Sequence, residues 1–201
     1  MENRMKFVRF RENNTNKVEM KGVLSDNTIK RVYGSFFQAY SVGATYRYND
    51  VILLAPVLSR NIVCIDVDTG CVSAKLPSSV AANGATIQTY NSNLSCTPRV
   101  AFIVHSRNRS RLTGAITLFG FALMLDISGN FDGYSVLSEY ITDDISVLAR
   151  LGAAETIAKL ADRITFNTGD IIAVKATACF ECKQGRVSFE YEGANVEALL
   201  V

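Results

Sequence analysis

Ala115-Ile-Thr-Leu-Phe-Gly-Phe-Ala-Leu-Met-Leu-Asp-Ile127 is the longest apolar run in the chain, interrupted by Thr117, Gly120 and Asp126. It falls short of the ~20 consecutive apolar residues that a membrane-spanning helix needs. The run therefore reads as a strand buried on both faces. Further strand-like runs flank it at Phe7–Phe10, Val18–Leu24, Asn61–Val67, Val100–Val104, Asp170–Thr177 and Arg186–Glu192. In the last of these Val187, Phe189 and Tyr191 alternate with polar residues, the pattern of a half-buried strand. Turn signals separate the early runs at Glu12-Asn-Asn14 and Ser25-Asp-Asn27.

One helix is predicted. Asp143-Asp-Ile-Ser146 supplies carboxylates at its start, where the helix dipole favours them. Val147, Leu148, Leu151, Ala154, Ala158 and Ala161 follow at helical spacing, with Glu155 and Lys159 as an i,i+4 pair. Asn167-Thr-Gly169 then turns the chain back into a strand. The fold class is α+β and β-rich. Residues 1–58 read as a small N-terminal β domain ending at the extended Leu54-Ala-Pro56, and residues 59–201 as a larger β-rich domain.

The chain has 201 residues, 48% of them hydrophobic, which is enough to bury a substantial core. A formal charge of +2 is close to neutral. Arg107, Arg109 and Arg111 form a basic group with no interleaved aromatic residue to stack bases, so nucleic acid is not an expected partner. Met1-Glu-Asn-Arg-Met-Lys6 begins no apolar segment of a signal peptide, and a cytoplasmic location with no membrane association is expected. The five cysteines then read as reduced thiols. Cys179-Phe-Glu-Cys182 is a lone CxxC between strand-like stretches, and His105 is the single histidine, so zinc or thioredoxin-type chemistry is not expected.

Several segments carry a resemblance. Met5-Lys-Phe-Val-Arg-Phe-Arg11, Tyr46–Val57 running into Asn61-Ile-Val-Cys64, Lys75-Leu-Pro-Ser-Ser79 and Phe166-Asn-Thr-Gly-Asp-Ile-Ile-Ala173 resemble the fumarylacetoacetate hydrolase family, as does the closing Gly193–Val201. The resemblance implies a mixed β-roll or β-sandwich that commonly dimerises, so a homodimer or heterodimer is expected. It also implies Mg²⁺ or Mn²⁺ held by a Glu-x-Glu pair and an Asp, since hard cations take carboxylate oxygens and polarise a substrate carbonyl. Here Thr97 and Arg99 stand at the two glutamate positions, and the aspartate survives as Asp126. The lid that carries a His and a Glu in the family is missing, because Ile62–Gly70 runs almost directly into Lys75-Leu-Pro-Ser-Ser79. The family's lysine segment is reduced to Gly129-Asn-Phe-Asp132, and its terminal threonine loop is altered to Ala173-Val-Lys-Ala-Thr-Ala-Cys179. The chain thus reads as a shortened, catalytically degenerate member.

The expected site has Arg99 and Asp126 as catalytic residues, paired in a bidentate ion pair. Thr97, Asp66, Asp68, Tyr134 and Lys175 surround them as substrate-binding residues, with no metal and no cofactor. His105 shares the face of Arg99 by period-two counting and reads as structural. The expected function is metal-independent conversion of a small anionic or enolisable keto compound, of isomerase, cyclase or lyase (decarboxylase) type, in a specialised biosynthetic pathway. The alternative is a pseudoenzyme that serves as structural or regulatory partner of another protein. A third reading rebuilds the metal site from Asp66, Asp68 and Asp126.

Overall fold

The computed structural model describes residues 4–13, 18–89, 94–106, 116–129 and 133–201. The basic group at Arg107, Arg109 and Arg111, Asn14 of the first turn and Asn130-Phe-Asp132 lie outside the described residues.

The chain opens as an antiparallel meander of β1 (Lys6–Glu12), β2 (Met20–Ser25), β3 (Thr28–Gly34) and β4 (Tyr40–Arg47), and β5 (Val51–Leu54) pairs the end of β1. Next come β6 (Ile62–Ile65), β7 (Val72–Lys75), β8 (Val80–Ala81) and β9 (Ala85–Ile87). The central strands are β10 (Leu94–Ser106) and β11 (Thr117–Ser128), followed by β12 (Gly133–Leu137) and β13 (Ile141–Thr142). Helices α1 (Val147–Arg150) and α2 (Ala154–Ala161) lead into β14 (Ile171–Lys175), β15 (Phe180–Cys182), β16 (Gly185–Tyr191) and β17 (Ala194–Leu200).

One large mixed sheet runs in the order β4-β3-β2-β1-β13-β11-β10-β14-β6-β7, and a smaller sheet runs β16-β17-β9. The expectation for the long apolar run holds, because β10 and β11 are covered on both faces. Val100, Phe102 and Val104 of β10 and Phe121, Leu123, Leu125 and Ile127 of β11 point to a core shared with the helices and the small sheet. Ala101, Ile103 and Met124 point the other way, into a second core with Phe7, Phe36, Ile62, Cys64 and Ala173. Burying each large apolar side chain contributes about 1.5–3 kcal/mol, so this two-faced strand pair stabilises the sheet strongly.

The single predicted helix is two. Gly152 adopts φ +61°, a left-handed conformation that ends α1 and lets α2 restart at Ala154. The amphipathic spacing survives across the break because Val147, Ala153, Ile157 and Leu160 all reach the first core. The Glu155–Lys159 pair forms at 2.7 Å. Asp170, buried at the turn before β14, accepts hydrogen bonds from the Asn61 and Asn167 backbone N–H groups and from Asn61 Nδ2, at 2.8–3.1 Å. It thereby fixes the start of β6 beside β14.

The N-terminal strands join the rest through β13, where Phe7 pairs with Ile141 and Phe121 with Thr142. Gly120 permits this junction: a Cβ there would stand 2.0 Å from the Thr142 carbonyl oxygen, a backbone atom that cannot step aside. Gly120→Ala is expected to cost about 1–3 kcal/mol or more through forced overpacking. Gly133→Ala, where an added Cβ meets nothing within 4 Å, should stay within about 0.5 kcal/mol of wild type. Equal denaturant midpoints for the two variants would contradict the close approach.

Candidate functional site

Strand alternation gathers the charged residues on one face of the large sheet. On β6 the face of Ile62 and Cys64 continues to Asp66, and on β14 that of Ile171 and Ala173 continues to Lys175. Register places Arg99 opposite Lys175, Thr97 opposite Asp126, Asp126 opposite Ser135, and Ile62 opposite Lys75. Six strands therefore bring polar side chains to one end of the second core.

Asp126 is the centre. It is only 4% exposed, and Arg99 is 9% exposed. Arg99 Nε donates to Asp126 Oδ2 at 2.8 Å, and Lys75 Nζ pairs with Oδ1 at 2.6 Å. Ser128 Oγ also donates to Oδ1, at 3.2 Å, and accepts from Lys75 Nζ at 2.8 Å. Arg99 Nη1 donates to the Ile65 carbonyl oxygen at 3.2 Å. The expected Arg99–Asp126 pair is present, but it is joined through Nε alone. The bidentate form does not occur because Nη1 is drawn to the end of β6 and the second carboxylate oxygen is engaged by Lys75.

A second pair stands beside the first. Lys175 Nζ donates to Asp66 Oδ2 at 3.0 Å, and this bond lowers the Asp66 pKa and raises that of Lys175. Asp68 is not drawn in: it sits in the exposed hairpin turn, where its backbone N–H donates to Asp66 Oδ1. Tyr134 opposes Ile127 on the far face and packs against the first core, so its ring does not face Asp126. It does line a cleft of about 380 Å³ with Lys75, Ser78 and Ser79. His105 lies away from the site, its ring stacked on Phe119 with centroids 6.1 Å apart. The Cys64 thiol is within electrostatic reach of the cluster, and burial raises its pKa to about 11 despite the influence of Arg99.

Lys75 is the residue that sequence reading missed. Its motif served only to mark a resemblance, while its position depends on the tight hairpin between β6 and β7. Six residues, Asp66 to Cys71, connect the two strands, so the hairpin folds Lys75 back opposite Ile62 and onto Asp126. Period-two counting from β6 through a short hairpin would have found it.

The donor set around Asp126 is poorly suited to a divalent cation. Asp126 offers one carboxylate whose oxygens both face protein cations, and Mg²⁺ or Mn²⁺ requires several oxygen donors free of such neighbours. These residues do not fit that ion. The set of Asp66, Asp68 and Asp126 does not converge either: among the described residues, no group of three His, Cys, Asp or Glu side chains could hold a metal.

No protein-family model matches the chain, and no curated protein matches it. Solved structures do. The chain is similar to a 2-hydroxyhepta-2,4-diene-1,7-dioate isomerase from Mycobacterium marinum, with 15% identity, a TM-score of 0.81 and 98% of each chain covered. It is similar to the fumarylacetoacetate hydrolase of Exiguobacterium antarcticum, with 17% identity and a TM-score of 0.76 over 98% of this chain and 99% of that one. The maleylpyruvate hydrolase of Sphingobium sp. SYK-6, solved in complex with manganese(II) and pyruvate, gives 16% identity and a TM-score of 0.75 over the same shares. The chain carries the fumarylacetoacetate hydrolase-type fold. Among its described helices none is long and apolar enough to cross a membrane.

Because Asp126 holds two cations, the single variants should be unequal. Arg99→Met leaves Asp126 partnered by Lys75 and should cost about 1.5–3 kcal/mol, the worth of one charged hydrogen bond. Asp126→Leu strands the buried Arg99 and should cost on the order of 3–5 kcal/mol. The double variant should lose clearly less than the sum of the two. Additive losses in urea denaturation would show that the residues do not act as a unit.

Proposed function

We propose that this protein is a small-molecule enzyme that binds and converts a short anionic or enolisable keto compound without a divalent metal. The supporting observation is the arrangement at Asp126. One buried carboxylate holds a guanidinium and an ammonium on its two oxygens, and the lysine that carries the ammonium lines a cleft of small-ligand size. Two cations and one carboxylate leave a net charge of +1 fixed where a keto acid would develop enolate charge. Fixed charge of this kind needs no reorganisation as the reaction proceeds, so it stabilises the enolate more than the ketone.

Roles follow from position. Lys75 lies between cleft and carboxylate and faces the ligand. Arg99, deeper in the sheet and tied to Ile65, balances Asp126 and sets the potential at Lys75. The Asp66–Lys175 pair adds a third cation, balanced by its own carboxylate, on the strand beside Arg99. The fold's solved relatives include isomerases and hydrolases, and enolisation is a step that isomerase, cyclase and decarboxylase chemistry all share. Sequestration from water by a lid is not part of this reading, since β6 and β7 are joined by a six-residue turn.

Binding of a panel of 2-oxo and 3-oxo acids, followed by ligand-observed NMR in the presence of EDTA, tests the proposal. At least one should bind wild type, and Lys75→Met should lose it by tenfold or more, about 1.4 kcal/mol. A ligand that binds only after manganese is added would overturn the metal-free reading.

A further inference from the structure

Lys75 has a placement that charge balance alone does not require. Its side chain is 18% exposed and lines the 380 Å³ cleft, while its amine stands 2.6 Å from Asp126 Oδ1 and 2.8 Å from Ser128 Oγ. Lys75 is thus a primary amine on a residue that lines an open cleft, with a proton acceptor within hydrogen-bonding reach. Arg99 holds the other oxygen of the same carboxylate, so the acceptor beside the lysine stays fixed in place. Lys175 differs. It is paired with Asp66 and is not among the residues lining that cleft.

We propose that Lys75 captures the carbonyl carbon of a short oxo acid as an iminium, so that the protein's own nitrogen provides the electron sink. The proposal rests on the keto-compound reading of the same site and adds a covalent step to it. Lys75 passes one ammonium proton to Asp126 Oδ1, and the freed lone pair forms the N–C bond as the carbonyl pair moves to oxygen. A second nitrogen proton transfers to that oxygen, with Ser128 Oγ placed to relay it. Asp126 then returns its proton to the hydroxyl, water leaves, and the nitrogen lone pair closes the C=N bond. Of the three ammonium protons, two depart in the water and one remains on the iminium. Asp126 is a carboxylate at the start and at the end, so no outside acid, base or oxidant is needed. An α C–H pair, or the C–C pair released when a 3-oxo acid loses carbon dioxide, can then flow into the iminium.

Reductive trapping tests this with pyruvate as the probe. The full-length protein is incubated with pyruvate and cyanoborohydride, and the adduct is located by intact mass and peptide mapping. The expected result is one reduced pyruvyl group on Lys75, lost entirely in Lys75→Arg. That variant keeps the cation on Asp126, and circular dichroism should show it folded. Pyruvate binding is followed separately by ligand-observed NMR. Binding without an adduct at Lys75 overturns the iminium and leaves the keto-compound reading standing. Absence of both binding and adduct overturns both. Adduct spread over Lys175 and surface lysines shows general amine reactivity and also overturns the proposal.

Discussion

A carboxylate buried in the middle of a sheet cannot remain ionised without partners, because removing it from water costs several kcal/mol. Asp126 is under that constraint, and the polar chemistry of the molecule is organised by it. Its neighbours on four strands supply the compensation: Arg99 from β10, Lys75 from β7, Ser128 from the end of β11, and the Ile65 carbonyl that holds the far side of the guanidinium. Removing any one of these changes what the others must do. The cluster is therefore best understood as a single charged unit set into an apolar frame.

That frame is the two-faced strand pair β10–β11. Alternation sends one set of side chains to the core beneath the helices and the other to the core beneath the N-terminal strands, and the charged unit occupies the end of the second face. The close approach at Gly120 and the clamp made by Asp170 set the neighbouring strands in place, and so fix which residues meet there. The short β6–β7 hairpin has a double consequence. It puts Lys75 onto Asp126, and it leaves the cleft beside that lysine bordered by Ser78, Ser79 and Tyr134.

Much of this was legible from residues alone. The long apolar run, the Val100–Val104 segment and the Asp170–Thr177 segment all became central strands, because continuous apolar composition has few other uses in a β-rich chain. Arg99 was readable as a charge in a buried run that needs a partner, and Asp126 as that partner only through the family resemblance, which sets both at metal-ligand positions. Short strands such as β8, β13 and β15 carry two or three residues each, too few for periodicity to register. The helix break at Gly152 was hidden because apolar spacing continues across it. Tyr134 was assigned to the site by neighbourhood, whereas pairing with Ile127 turns it to the other face. Lys75 escaped notice because its place depends on hairpin register, a property of two strands that neither strand shows by itself.

The account's central claim is that two protein cations occupy the oxygens of Asp126 and so take the place a divalent metal would need. Crystals grown in manganese, with diffraction recorded at the manganese absorption edge, test it most directly. The account predicts no anomalous peak within coordinating distance of Asp126, with Arg99 Nε and Lys75 Nζ both still on the carboxylate. A manganese peak bonded to Asp126, with either cation swung away, would contradict it.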